Sequence, residues 1–305
     1  MVPQISVIFP VWQREAYLAE ALESVLAQDF PDFECLVILD GSPEPVQAIV
    51  ERYRDPRLHI ARLPVNLGIS AARNTGLALA RAPYVAYMDS DDVALLHRFS
   101  VQHAWMQAHP QLTACGSNSV KLHPDGRRTP MVYPESDALI KSRLLLVDAA
   151  LHSPTVMVRS DFLRHHGLRF DPNFTRDQCH RLFVEMARQG ASFYGLQEDL
   201  LLYRRHAENA TVDQTGVDAE KTRVREMLLP LYFPELSGHE QRLLLKGLCQ
   251  NVDMTLQELC GFVATADKAA REQRSFCGED RAELQRLLVL FRNRALRALA
   301  PSPLA

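Results

Sequence analysis

Four short apolar runs, with helix-spaced segments between them, occupy residues 1 to 90 and leave few folds open. Ile5 to Val11 is interrupted only by Ser6 and Pro10 and reads as a buried strand. Phe33 to Leu39 is a second strand, Leu58 to Leu63 a third and weaker one, and Tyr84 to Met88 a fourth. Between them Tyr17, Leu18, Ala21, Leu22 and Val25 recur at helical intervals, and Pro45 to Tyr53 and Ile69 to Ala80 also read as helices. This alternation predicts an α/β unit with a parallel sheet covered by helices on both faces. Right-handed crossovers then bring the carboxyl ends of the strands to one edge, where such sheets bind ligands.

The pattern changes after Asp92. A helix is expected from Leu95 to Ala108, stopping before Pro110. Thr113 to Lys121 and Arg128 to Tyr133 flank the turn His123-Pro124-Asp125-Gly126 and read as a hairpin. Ser136 to Val147 is helical, Thr155 to Val158 is a short strand followed by a short helix, and Asp177 to Gln189 is a helix. That last helix turns Cys179, Leu182, Phe183, Met186 and Ala187 inward; Phe193 to Leu196 and Leu200 to Arg204 follow as two short strands. From about residue 215 the chain reads as helical to its end, so a boundary is placed between 1–214 and 215–305. Within the first part, 1–92 and 93–214 form two halves of different character.

Of the 305 residues 47% are apolar and 23% charged, an ordinary balance that excludes disorder and collagen-like folds. The formal charge of −3 provides no basic field for nucleic acid. No apolar run reaches the ~18 to 20 residues of a membrane span. The chain enters a strand at once with no basic segment before it, so no signal peptide is expected. Six cysteines form no C-x-x-C pair; Cys35, Cys115 and Cys179 sit among apolar neighbours. They read as free buried thiols in a reducing, cytoplasmic compartment.

Asp89-Ser90-Asp91-Asp92, directly after the fourth strand, carries the strongest chemical signal. Carboxylates this close repel one another and resist burial. A hard divalent cation, Mg²⁺ or Mn²⁺, would offset that repulsion and keep positions open for phosphate oxygens and water. Read alone, the four residues equally suit a solvated turn or helix cap. Asn66-Leu67-Gly68-Ile69-Ser70-Ala71-Ala72-Arg73-Asn74-Thr75-Gly76 sets a guanidinium on an apolar stripe. Arg73 therefore wants an anion, either a diphosphate or a carboxylate in a neighbouring strand-end loop. Gly76 on the same face is explained by close helix–sheet packing. Leu39-Asp40-Gly41-Ser42 is an acidic turn at the second strand end, and Trp12 follows the first strand, where it could flank a flat ring. The chain lacks G-x-G, a G-x-x-x-x-G-K-[ST] loop and a G-x-S-x-G elbow. His165-His166 and the other histidines lack zinc spacing.

In this order, Ile5 to Trp12, Leu26 to Glu34, Asn66 to Leu77 and Tyr84 to Asp92 resemble four blocks of glycosyltransferase family 2. The resemblance is specific over 1 to 92, looser to about 210 and absent beyond. It implies an α/β fold of GT-A type, with a Rossmann-like, mostly parallel central sheet flanked by helices and a C-terminal helical extension. On this resemblance Pro10, Val11, Trp12, Asp40, Asn66, Gly68, Arg73, Asp89 and Ser90 bind the nucleotide. Asp89 and Asp91 form the D-x-D pair that, with His206, holds Mn²⁺ or Mg²⁺. Asp177 is the catalytic base, with Asp171 and Glu198 in reserve, and His152 is a weaker candidate. The family's usual pair of acids, aromatic–Asn pair and Glu–Asp base pair are here Leu39-Asp40, Trp12-Gln13 and Arg176-Asp177.

The implied reaction is a metal-dependent, inverting transfer from a nucleotide sugar, UDP-linked by preference, to a saccharide or lipid-linked acceptor in bacterial surface polysaccharide or glycolipid synthesis. The Q-x-x-R-W motif of processive relatives is absent, which implies one transfer per encounter. Leu39 and Arg176 support the alternative of a non-catalytic nucleotide- or glycan-binding scaffold. No acid follows Glu283, while Arg286, Arg292, Arg294 and Arg297 interleave with leucines. Those terminal helices would pack on the domain or form a homodimer. The basic tail would also allow peripheral contact with the inner face of a membrane.

Overall fold

The computed structural model describes residues 2–13, 15–146, 150–206, 209, 217–249 and 254–299. The chain divides into two compact units, one formed by Met1–Ser136 with Leu151–Val212, the other by Asp137–Ala150 with Asp213–Ala305.

The first unit is built on a mixed sheet. In chain order its elements are β1 (Ile5–Val11), α1 (Glu15–Leu26), β2 (Phe33–Asp40), α2 (Glu44–Glu51), β3 (Leu58–Leu63), α3 (Ile69–Leu79) and β4 (Tyr84–Tyr87). β5 (Val93–Ala94), α4 (Arg98–Ala108), β6 (Ala114–Leu122) and β7 (Arg128–Met131) follow. In the second unit, α5 (Asp137–Leu146) comes next. The chain then returns to the first unit with β8 (Met157–Arg159), α6 (Ser160–His165), α7 (Gln178–Arg188) and β9 (Phe193–Arg204). The strand order is β3-β2-β1-β4-β8-β6-β9-β5, with β7 beside β6. β1 to β4 run parallel, whereas β8 is antiparallel to both β4 and β6.

Every residue of β1, β2 and β4 is buried, which is why these strands appear as continuous apolar runs. α3 lies close against the sheet because Gly76 has no Cβ; one built there would come within 2.6 Å of Ile8 Cγ2. α4 begins three residues later than the apolar pattern predicts. Val93 and Ala94 are drawn into pairing with Leu202 and Leu201 of β9. β9 is one strand where the sequence suggests two: the exposed Gln197, Glu198 and Asp199 coincide with register shifts against β6.

In the second unit, α5 packs with the C-terminal helices, which the sequence pattern around it gave no reason to expect. These are α8 (Val217–Tyr232), α9 (Gly238–Leu248), α10 (Leu256–Ala269) and α11 (Arg281–Leu299). Capping boxes, Ser237 with Glu240 and Thr255 with Glu258, start α9 and α10. α11 buries Leu284, Leu287, Leu288 and Phe291, and leaves Arg286, Leu290, Arg294, Leu296 and Arg297 exposed. Val147, the last residue of the expected 136–147 helix, lies outside the described residues, as do 300–305. Among the described residues no helix is long and apolar enough to cross a membrane.

Candidate active site

The strand order of the first unit places a ligand crevice at one position. The chain runs from β1 to β2 and β3 on one side, then crosses back to β4 on the other, so the strand order reverses between β1 and β4. β4 pairs with β1 only as far as Ile8–Tyr87. Beyond that point β1 continues to Val11 while the chain after β4 turns away into Asp89-Ser90-Asp91-Asp92. Ligands of open α/β sheets bind at such a reversal.

In this loop the repulsion among the acids is relieved residue by residue. Asp89 Oδ1 accepts a bond from Arg73 Nη2 at 2.7 Å. Asp91 Oδ2 lies 3.0 Å from His206 Nε2. Asp92 is fully buried, its Oδ1 accepting from the Arg204 N–H at 2.9 Å and its Oδ2 without a hydrogen-bond partner. Burial, together with the charges of Asp91 and Asp89, pushes the Asp92 carboxyl well above the usual carboxylate range.

Arg73 is shut away at 2% exposure and pairs with a carboxylate, the second of the two partners its sequence context admits. Its Nη1 also donates to Cys179 Sγ, and its guanidinium lies over the Phe170 ring. Burial opposes the charge, but Cys179 and Asp89 outweigh it and raise the Arg73 pKa. Arg73 thus holds Asp89 in place. Breaking so enclosed a pair costs up to about 3–5 kcal/mol. Its helix neighbours act the same way. Ser70 Oγ donates to Phe174 O at 3.0 Å, and the Asn74 amide exchanges two 2.8 Å bonds with the Phe170 backbone. The polar face of α3 therefore clamps the segment that leads to α7.

That segment ends at Asp177, the N-cap residue of α7, buried at 9% exposure. Asp177 Oδ2 is 2.8 Å from His180 Nδ1, a neighbour the sequence did not single out. Arg73 links the two sides of the crevice, touching Asp89 after β4 and Cys179 in the first turn of α7. Asp171 Oδ1 caps its own turn at Asn173, and Glu198 is exposed on β9.

The proposed nucleotide side is uneven. Trp12 is 48% exposed at the carboxyl end of β1, open for ring stacking. Pro10 and Val11 are packed in the sheet core, so a ligand could meet only their backbone; the Val11 carbonyl already accepts from Ser42 Oγ. Asp40 clamps a loop: its Oδ1 and Oδ2 accept from the N–H groups of Leu67 and Gly68 at 2.8 and 2.9 Å. Asn66 Oδ1 accepts from the same Gly68 N–H at 3.0 Å. Gly41 permits this approach, since its φ is +62° and a Cβ would lie 2.2 Å from Asn66 N. Ser90 is buried inside the acidic turn.

Among the described residues no group of three or more His, Cys, Asp and Glu side chains converges on a ready-made metal cage. Of the expected set, Asp91 and His206 meet, while Asp89 is turned to Arg73. The remaining pair suits a hard cation nonetheless. Neighbouring ligands on an octahedral ion with ~2.1 Å bonds stand about 3 Å apart, the separation seen here. Mg²⁺-type ions commonly take only one or two protein carboxylates and complete their shell with substrate phosphates and water.

His152 is half-buried among aromatic rings. It is stacked on Tyr133, edge-on to Tyr203 and 3.0 Å from Ser119 Oγ. Burial, partly opposed by the charge of Asp89, pushes its pKa down to about 4 from 6.5. Below pH 6.5 the unfolded chain binds a proton that the folded one refuses. Stability is therefore full above that pH and falls progressively towards pH 4, by up to about 3 kcal/mol. Urea unfolding of the first unit followed at several pH values should show this slope, and His152→Gln should flatten it; an unchanged slope would remove His152 as its source.

Residues 6–166 match the family model Glycosyl transferase family 2. The uncharacterized glycosyltransferase EpsJ of Bacillus subtilis is 37% identical over 224 residues, covering 69% of this chain and 64% of that protein. TuaG of the same organism, a putative teichuronic acid biosynthesis glycosyltransferase, is 29% identical over 210 residues, covering 66% and 79%. Among solved structures, S. aureus TarS 1-349 in complex with UDP aligns with a TM-score of 0.64 at 18% identity, over 97% of this chain and 91% of that one. The mannosyltransferase PcManGT from Pyrobaculum calidifontis, in complex with GDP-Man and Mn²⁺, aligns at 0.52 and 15% identity, over 98% and 76%. At such identities the likeness bears on the fold, which is of GT-A type.

Proposed function

The chain belongs to glycosyl transferase family 2, and on that premise we propose that it moves a sugar from a UDP-linked donor to a hydroxyl of a saccharide or lipid-linked acceptor, inverting the anomeric carbon. The proposed setting is bacterial cell-surface polysaccharide or glycolipid synthesis, which the naming of TuaG supports. The observation that carries the reading is the set of contacts gathered where the strand order reverses. On one wall Asp91 and His206 stand 3.0 Å apart, and Arg73 ties the neighbouring Asp89 to the helix that Asp177 begins.

Asp177 accepts the proton of the attacking hydroxyl as the acceptor oxygen bonds to the anomeric carbon and the bond to the diphosphate oxygen breaks. Burial on the first turn of α7 keeps its carboxylate in one orientation, and His180 Nδ1 holds Oδ2. Trp12 offers a face for the uracil ring, and the loop clamped by Asp40 forms the floor beside it. Asp91 and His206 would hold Mn²⁺ or Mg²⁺, which when bound supplies Lewis-acid stabilisation of the charge on the departing diphosphate. UDP and Mn²⁺ in complexes of proteins with this fold support the choice of both.

Nucleotide release from a panel of UDP- and GDP-sugars, each with and without Mn²⁺, tests the reading. At least one UDP-sugar should release UDP in a metal-dependent manner. Release from none of them, with nucleotide still bound, would assign the chain to the non-catalytic binders instead.

A further inference from the structure

Asp177 occupies the N-cap place of α7 and does not cap it. Its carbonyl accepts an early bond of the helix, from the Arg181 N–H at 3.0 Å, yet its side chain makes no capping bond to the first turn. An aspartate at this place ordinarily closes one of the helix's unpaired N–H groups, and forgoing that bond lowers helix stability. The carboxylate is turned instead to His180, the third residue of the helix, whose Nδ1 lies 2.8 Å from Oδ2. A carboxylate only accepts, so Nδ1 carries the hydrogen and donates it. In a capping box the third residue reaches back to the N-cap backbone; here it reaches back to the N-cap side chain. Both partners are buried, His180 at 6% exposure. The turn that carries them is held from outside: Arg73 Nη1 donates to Sγ of Cys179, and Ser70 Oγ donates to the Phe174 carbonyl. With the backbone fixed in this way, the direction of the Asp177 carboxylate is set by what its oxygens bond to.

We propose that His180 is a positioning residue that draws Asp177 off its own helix end and holds the carboxylate for the acceptor hydroxyl. The inference rests on the reading of Asp177 as the base and adds the residue that keeps it from acting as an ordinary helix cap. A capping carboxylate spends its lone pairs on backbone N–H groups. Bonded to the imidazole through Oδ2, the carboxylate keeps further lone pairs for a proton. The acceptor O–H bond then breaks towards one of them, the acceptor oxygen bonds to the anomeric carbon, and the diphosphate leaves with its electron pair. His180 gives up no proton in the step. A local rule broken at one residue, with a buried neighbour enforcing the break, is the pattern of a functional site.

Variants of the full chain test this. His180→Leu fills the space without a donor, whereas His180→Asn keeps an N–H near the place of the imidazole Nδ1. The rate is UDP release from the UDP-sugar active in the donor panel. His180→Leu should lower kcat about 100-fold, the cost of a misplaced reacting group. The KM for the UDP-sugar should stay as it is, and the melting temperature should hold or rise, because Asp177 can then cap α7. His180→Asn should return the rate to within about tenfold of the unsubstituted protein. Combined with Asp177→Asn, His180→Leu should cost nothing more. A crystal structure of His180→Leu, which needs no turnover, should show the Asp177 carboxylate turned to a backbone N–H of the first turn. A carboxylate that keeps its present direction there would overturn the proposal, as would an undiminished kcat. His180→Asn decides the matter if the leucine variant fails to fold: a rate about 100-fold down despite the retained N–H would overturn it too. Full activity in Asp177→Asn, with the carboxylate turned in His180→Leu, would leave His180 in control of the side chain and remove the base reading alone.

Discussion

Asp177→Asn is expected to lower the rate of sugar transfer by about 10²–10⁴-fold while leaving UDP-sugar affinity nearly unchanged. The substitution preserves size and shape, and an Asn Oδ1 can still accept from His180 Nδ1, the contact that holds the side chain now. Asn is also a good residue at the start of a helix, so α7 should keep its first turn. What the amide lacks is a basic oxygen for the acceptor proton. The binding side of the crevice, after β1, β2 and β4, does not depend on that oxygen. Turnover in a burst-free steady state and UDP-sugar titration by calorimetry separate the two effects. Transfer within about tenfold of the unsubstituted rate would move the base elsewhere. Asp171, capping its own turn, and Glu198, exposed on β9, would then be examined in that order.

Asp91→Asn should abolish the part of UDP affinity that depends on Mn²⁺, leaving a weak, metal-independent remainder. Losing a residue one shell removed from a metal commonly costs about 10- to 100-fold in affinity, and a direct ligand should cost more. The asparagine amide cannot replace an anionic oxygen, and its N–H would face His206 Nε2, now 3.0 Å from the carboxylate. Asp89→Asn is a useful contrast. Asp89 is bonded to Arg73, so its loss should unsettle the clamp between α3 and the Phe170–Cys179 segment as well as the ligand site. If UDP binds the Asp91→Asn protein as tightly as before and still responds to Mn²⁺, the metal assignment is wrong.

The sheet was readable because its central strands are buried on both faces and so remain apolar without a break. β5 was not, since a two-residue strand carries no periodicity and exists only through Leu201 and Leu202, over a hundred residues away. β9 was split by its own polar segment, Gln197 to Asp199, where register shifts turn the side chains outward without ending the strand. The acidic turn after β4 and the helix start at Asp177 could be located from the chain alone. Their supports could not. Arg73, read as an ion-seeking residue on an apolar stripe, had two partners open to it, and only the fold decides for Asp89. Ser70 and Asn74, in the same helix, grip backbone carbonyls and amides, contacts that leave no trace in residue type. Tyr17 comes from α1, far from His206 in the chain, and its stacking on that ring exists only in the folded protein.

Diffraction at the manganese edge from crystals grown with UDP and Mn²⁺ tests the central claim most directly. The expected result is an anomalous peak bonded to Asp91 Oδ2 and His206 Nε2 at ~2.1–2.2 Å, its remaining positions filled by diphosphate oxygens and water, with Asp177 facing the crevice. UDP held in that crevice with no manganese on the pair, or manganese bound elsewhere in the chain, would contradict it.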